Sequence, residues 1–515
     1  MAQIDDSLIF IPNRSLDCLA GEDFGKLKPV CSDQTDLADA VLLDMFHLPL
    51  LRSGQFLFAS HGRLELLGCD GEPISQKGPA EGGFLRDLPK GRVRKALKGQ
   101  KRLKGLADLR ALTPICRLQI CSVRMALVDA EGKIHIRINF VETRMIGGAI
   151  GLIAFLRPVR GYGKALDLVR EALFRIGGGE ADLRGYFSGL CLSFPSAVFK
   201  PEITLGQDEP AFDVAADIIA AYLPAARVHE KGIVNDIDSE FLHDYRIALR
   251  KIRSVLSLFR GVYSDAQTRD LKKRFSRLMA KTGKLRDLDV YLMEKQCFFD
   301  LVPPPLHEGL NEMFSLFVRE REEAALQLAD HLISDAYQAE MQSLGDLFSA
   351  AGRLEKGPNG DLGAHDYACA LIWKRYRKIC KIARGLDAGS DDSEVHALRI
   401  HCKKLRYLME FFAPLFPRED VRCLIKSMKR LQDNLGAFND CSVQIDALSA
   451  FVAGQKFRNK ATQMSIAQSV GALIAVLHHR QGEQRALVLD AFSRFDSEET
   501  RQSFKTLFRS AEGKE

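Results

Sequence analysis

Residues 243–259 read HDYRIALRKIRSVLSLF, and residues 396–412 read HALRIHCKKLRYLMEFF. Both open on the pattern H-x-x-R-x-x-x-[RK]-K-x-R. Wound at 100° per residue, His243, Arg246, Arg250 and Arg253 fall within about 80° of one another. Tyr245, Leu249, Ile252, Val255, Leu256 and Phe259 gather on the opposite side. His396, Arg399, Lys403 and Arg406 repeat the placement, opposed to Leu398, Cys402, Leu405, Leu408, Met409 and Phe412. The pattern predicts two amphipathic helices. Each has an apolar face for a core and a cationic ladder about 15 Å long, at 1.5 Å per residue.

Working outward, His243 to Val290 aligns with His396 to Val443 without a gap at an offset of 153 residues, and 14 of the 48 positions are identical. Among them are Lys251/Lys404, Phe259/Phe412, Lys273/Lys426, Arg277/Arg430, Gly283/Gly436 and Asp287/Asp440. The copies hold 13 and 9 Lys/Arg against 5 Asp/Glu each. Two basic blocks therefore lie inside a chain whose net charge is only +6. An ordinary solvated helix face mixes signs, because like charges four residues apart repel by a few tenths of a kcal/mol. Here Arg246 adjoins Arg250, and Arg269, Lys273 and Arg277 stack at that spacing, as do Arg422, Lys426 and Arg430. Repeating such repulsion in both copies points to an anionic partner.

The two histidines head the ladders, and no second group for proton transfer stands near them in sequence, so anion contact is the functional reading and catalysis is not. Gly283 and Gly436 read as helix ends, and Asp287 and Asp440 as caps of the helix that follows. Helical periodicity also marks Ala211 to Leu223, Leu306 to Ala350, and His365 to Arg384, the last carrying Lys374, Arg375, Arg377, Lys378 and Lys381. Breakers fall at Pro303-Pro304-Pro305 and between Gly352 and Gly363.

The chain has 515 residues, with 46% hydrophobic and 27% charged, which fits globular domains and excludes wholesale disorder. Its longest apolar stretch, Met145 to Leu156, is twelve residues with two adjacent glycines, too short to cross a bilayer. MAQIDDSLIF carries acids where a secretory signal would carry lysines, which leads us to expect a cytoplasmic protein. Twelve cysteines with no CxxC pair, and His401-Cys402 and His478-His479 without partners at metal-like spacing, read as reduced, mostly buried thiols with no metal site.

HDYRIALRKIRSVLSLF, LMAKTGKLRDLDVYL, VHALRIHCKKLRYLMEFF and KRLQDNLGAFNDCSV together resemble the CHAD domain, the conserved-histidine α-helical domain. The resemblance covers about 300 residues. It implies an all-α region, residues 208–515, of two pseudo-symmetric four-helix bundles whose basic faces meet at a groove or pore that binds inorganic polyphosphate. The positions it assigns to polyphosphate are His243, Arg246, Arg250, Lys251, Arg253, Lys273 and Arg277, with His396, Arg399, Lys403, Lys404, Arg406, Lys426 and Arg430. Such domains are associated with polyphosphate granules in bacteria, with other granule proteins as further partners.

Residues 1–200 differ. Cys116 to Val128 and Lys133 to Thr143 alternate apolar and polar residues around the turn Asp129 to Gly132, a hairpin. DLPKGRVRKAL, LRALTPICRLQICSVRMAL and FLRPVRGYGKALDLVREAL resemble the CYTH superfamily. That implies an α+β domain built on an antiparallel barrel or tunnel that holds triphosphates with inward basic residues and acidic metal ligands. Arg117, Arg124 and Arg137 are the expected tunnel cations. The family's E-x-E-x-K strand would fall near Leu8 to Arg14, where the sequence is LIFIPNR, and on the hairpin only Glu142 remains of an acidic pair. Metal-assisted phosphoanhydride cleavage needs those carboxylates, so the expectation is a degenerate, noncatalytic domain with no cofactor. Residues 86–110, with ten basic residues against two acids, form a further candidate polyanion contact.

The sequence reading is thus a polyphosphate-binding protein. One rival is a metal-dependent triphosphate hydrolase or cyclase in the N-terminal half. Another is a nucleic-acid-binding protein, against which the lack of interleaved aromatics for base stacking weighs.

Overall fold

The protein, described here by a computed structural model, is defined over residues 8–60, 63–68, 74–77, 110–145, 148, 150–180, 201, 203–349, 354–387, 390–454 and 459–509. It divides into two units, Met1–Ala197 and Val198–Glu515.

The first unit is built on strands β1 (Leu8–Pro12), β2 (Lys28–Gln34), β3 (Ala38–Asp44), β4 (Gln55–Ser60), β5 (Arg63–Gly68), β6 (Ile74–Lys77), β7 (Thr113–Val128), β8 (Ile134–Met145), β9 (Ile150–Pro158) and β10 (Gly179–Glu180). They pair antiparallel in the order β10-β1-β9-β8-β7-β3-β4-β5-β6, with β2 beside the distal part of β7. The expected hairpin is β7 and β8. In its turn Asp129 Oδ1 accepts from the amides of Glu131 and Lys133, both at 2.9 Å, and Gly132 takes φ +79°. The Met145 to Leu156 stretch ends β8 and supplies most of β9.

Phe56 on β4 meets Phe155 on β9 at 5.6 Å, although three strands separate them in the sheet. The sheet therefore curls, and its concave side is filled by Leu8, Phe10, Leu42, Phe56, Phe58 and Ile153. The opposite face is covered by helix α2 (Gly163–Arg175), through Ala165, Val169, Ala172 and Leu173 packed on Ile9, Ile138 and Phe140. A one-turn helix, α1 (Pro49–Arg52), closes the β3–β4 connection. Leu8 to Ile11 send side chains alternately to both cores and are all buried. A strand buried on both faces calls for apolar residues throughout, and these stand where the CYTH resemblance would place glutamates.

The second unit is all-helical, with 14 helices among the described residues. They are α3 (Ala211–Arg227), α4 (Glu230–Val234), α5 (Ser239–Leu258), α6 (Asp265–Lys281), α7 (Gly283–Met293), α8 (Lys295–Asp300), α9 (His307–Ile333), α10 (Asp335–Ser349), α11 (Ala364–Arg384), α12 (Asp392–Phe412), α13 (Arg418–Gly454), α14 (Lys460–Ala486), α15 (Val488–Phe495) and α16 (Glu498–Phe508). The starts of α3/α11, α5/α12, α6/α13, α9/α14 and α10/α15 are each 153 residues apart. The duplication therefore spans the unit, far beyond the stretch visible as sequence identity.

Each half is a four-helix bundle. In the second half α11 packs on α12, α12 on α13 and α13 on α14, and in the first α3 packs on α5, α5 on α6 and α7 on α9. The halves join through equivalent elements, α3 with α11, α5 with α12 and α9 with α14, as a local two-fold requires. The equivalent residues Phe259 and Phe412 stack at 4.8 Å with planes 10° apart. The apolar faces expected of α5 and α12 are buried from Tyr245 to Phe259 and from Leu398 to Phe412.

Three local expectations are corrected. Gly283 opens a helix instead of ending one, and Gly436 lies inside α13, so Asp287 and Asp440 are mid-helix residues. The chain break in the first half falls at Thr282, whose Oγ1 donates to the Met279 carbonyl and competes with helix continuation. Leu306 to Ala350 is two helices, parted at Ser334, whose backbone is extended. The ten described cysteines are of mixed exposure: Cys116, Cys369, Cys380 and Cys402 are buried, but Cys31, Cys297 and Cys423 are exposed. Among the described residues no helix is long and apolar enough to cross a membrane. Of the basic segment 86–110 all but Arg110 lies outside the described residues.

Candidate anion-binding site

Asp238 caps α5, its carboxylate accepting from the amides of Glu240 and Phe241, and so fixes where the first ladder begins. With the apolar faces of α5 and α12 committed to the core, Arg246, Arg250 and Arg253 are left half-buried on one helix and Arg399, Lys403 and Arg406 on the other. The two helices pack on one another, and Arg250 and Lys403, the equivalent middle residues of the ladders, lie near enough for their charges to act on each other. Burial pushes the Lys403 ammonium down to about 8, and the positive charges of Arg250, Arg399 and Arg406 push in the same direction. Arg246 is likewise disfavoured as a cation by burial, with Arg250, Arg286 and Arg253 adding to it and Asp287 opposing.

This seam is short of carboxylates. Arg399 lies 4.0 Å from Asp440, and Arg406 Nε lies 3.3 Å from Glu410. Arg250, Arg253 and Lys403 have no ion-pair partner among the described residues. Arg246 donates to Thr282 Oγ1, while its Nε is buried without a hydrogen-bond partner. Guanidinium donors held in this way, with their carboxylates at the margin, form a bed for the oxygens of an anion.

The described residues bring together only part of the expected set. Lys251 is not on the ladder: it pairs with Glu410 and lies over the rings of Tyr407 and Phe411 at 4.7 and 5.2 Å. Lys404 turns to the other side of α12, toward Arg375, Arg260 and Lys272. Lys273, Arg277, Lys426 and Arg430 are exposed on α6 and α13. Arg277 instead lines a cavity of about 520 Å³ with Asp270, Arg274, Lys281, Tyr337 and Glu340. The two histidines are not equivalent. His243 is half-buried and held toward its neutral form by burial and then Arg286, whereas His396 is exposed. Sequence reasoning missed Arg286, Asp287 and Glu410 as members of the seam. Arg286 and Glu410 face Asn439 and Ser257 at the equivalent positions of the other copy, so the repeat carried no signal for them.

A comparison with family models matches residues 217–449 to the CHAD domain. Residues 217–449 form a CHAD domain. Similar solved structures include the crystal structure of the CHAD domain from the plant Ricinus communis, 24% identical, covering 55% of this chain and 97% of that one with a TM-score of 0.44. Another is PptA from Streptomyces chartreusis, 14% identical, covering 55% of this chain and all of that one with a TM-score of 0.41. A search of the curated proteins finds no match.

The matched residues lie within the second unit. In the first, the expected tunnel cations do not share a face. Arg117 alternates with Cys116 and Leu118 of the concave core and so points away from it, whereas Arg124 and Arg137 keep the concave register and are exposed, Arg124 at 3.5 Å from Asp33. Glu142 is buried and engaged at both oxygens, accepting from the Leu16 amide and from Arg144 Nε. Among the described residues no three His, Cys, Asp or Glu side chains are grouped to hold a metal ion.

Proposed function

We propose that the CHAD domain binds inorganic polyphosphate along the seam between α5 and α12, as a binding protein and not as an enzyme, and that this association carries the protein to polyphosphate granules. The observation behind it is the packing of α5 on α12 with Arg250 near Lys403, where burial and neighbouring cations hold the lysine down to about 8. Cations crowded at a loss in the free protein are relieved by a ligand with about one negative charge per unit along its length. Arginines grip its oxygens in pairs and condensed counterions are released.

Base stacking has little support in the seam. Its aromatic neighbour Tyr407 is 7% exposed and already lies beneath Lys251, Lys403 and Arg406. A competition experiment separates the partners: long-chain polyphosphate should displace labelled single-stranded RNA at matched charge concentration. RNA holding its place would overturn the reading.

A further inference from the structure

The duplication places a control inside the molecule. Lys251 and Lys404 are the same residue of the repeat. On one side Lys251 is neutralised by Glu410 and flanked by Tyr407 and Phe411. On the other, Lys404 faces Arg375 of α11, Arg260 just beyond α5, and Lys272 of α6. Arg375 NH1 donates to His401 Nδ1 at 2.7 Å, and Lys378 completes the group one helical turn further along α11. Arg375 Nε is buried with no hydrogen-bond partner. None of Arg260, Lys272, Arg375, Lys378 and Lys404 has an ion-pair partner among the described residues, and the acid that offsets the group is Asp265, near Lys272. At the equivalent positions the repeat carries Ala413, Ile425, Tyr222, Ala225 and Lys251, with Ala248 in place of His401. The group was therefore not copied with the ladders.

The Coulombic neighbours of Lys404 and those of Lys403 do not overlap. Adjacent residues on α12 point about 100° apart, so the two sets lie on different sides of the helix. Burial, Arg375, Lys404 and Lys378 together drive the His401 imidazole down to about 4. With Nδ1 accepting from Arg375, the neutral ring carries its proton on Nε2 and has a donor to offer.

We propose that Arg260, Lys272, Arg375, Lys378, His401 and Lys404 form a second anion site, separate from the seam, that takes a compact oligophosphate. Five cations brought in from four elements are tied together through Lys404, which feels Arg375, Arg260 and Lys272, and through His401, which feels Arg375, Lys404 and Lys378. A single orthophosphate leaves most of that charge unbalanced, whereas a triphosphate group matches it. The site does not depend on polyphosphate being the ligand of the seam.

The test uses the full chain and inorganic tripolyphosphate, titrated by calorimetry against wild type, Arg375→Gln with Lys404→Gln, and Arg250→Gln with Lys403→Gln. Wild type should bind at two sites, the first variant should lose at least tenfold in affinity at one of them, and the second should keep that site and lose the other. A parallel titration with ATP distinguishes the sources of the ligand: equal affinity assigns the site to the phosphates alone, and tighter binding assigns it to a nucleoside triphosphate. Lys404→Gln alone, with an unchanged melting curve, guards against a folding defect, and the His401 ring resonances should shift on tripolyphosphate addition. The proposal is overturned if wild type fails to bind, if the Arg375/Lys404 variant binds as wild type does, or if only the Arg250/Lys403 variant loses tripolyphosphate. Long-chain polyphosphate run in parallel reports on the seam, so failure of one reading is told apart from failure of the other.

Discussion

Replacing Arg250 and Lys403 by Gln removes two of the six cations that α5 and α12 bring together. If those six neutralise about six phosphates, the slope of log affinity against log salt should be roughly −4, taking about −0.7 per contact as for a flexible single strand. The variant, left with about four contacts, should show roughly −3. Between 50 and 200 mM salt wild type should then weaken by about 300-fold and the variant by about 50-fold. At low salt the variant should already bind at least tenfold more weakly, about 1.4 kcal/mol. Fluorescence anisotropy of end-labelled polyphosphate across a salt series measures both quantities. Lys273→Gln with Lys426→Gln is the matched control, since it removes the same charge from exposed positions on α6 and α13. Equal slopes for wild type and the seam variant, or a larger change in the control, would refute the assignment of binding to the seam.

The depressed Lys403 makes binding pH-dependent. Its charged form is disfavoured in the free protein and favoured beside phosphate, so polyphosphate affinity should fall as pH rises through about 8, with proton uptake on binding, and Lys403→Arg should flatten the profile. In the absence of ligand the sign reverses: between about pH 8 and the unfolded value near 10.4 the unfolded chain holds the extra proton, so Lys403 contributes stability that grows with pH over that window. Glu410→Gln should leave the half-buried Lys251 without its carboxylate and cost about 1–3 kcal/mol in denaturant unfolding, while raising polyphosphate affinity by freeing Arg406. Phe412→Ala should remove the stacked pair at the local two-fold and cost about 3–5 kcal/mol by thermal or chemical unfolding.

The ladders were legible in the sequence because a helix buried on one side writes its period into every third or fourth residue, and both apolar faces are buried as their spacing implies. The full extent of the duplication was not legible. Helix starts such as Ala211/Ala364 and Asp335/Val488 keep the spacing, but a core accepts many apolar residues at each position, so geometry outlasts identity. Gly436 misled because glycine is permissive, not obligatory, at helix ends, and α13 runs through it. The separation of Lys403 from Lys404 was equally hidden. It depends on Arg250 on one side and Arg260 and Arg375 on the other, partners that sequence proximity does not reveal. In the first unit the hairpin was plain from its alternation, but the filling of the concave side by Phe56, Phe58 and Phe155 came from strands distant in sequence.

The most direct measurement is a crystal structure of the protein with a short polyphosphate chain. Phosphate groups lying between α5 and α12, within ion-pair distance of both Arg250 and Lys403, are the predicted result. Phosphates gathered on the exposed basic residues of α6 and α13, with the seam free of ligand, would contradict the account.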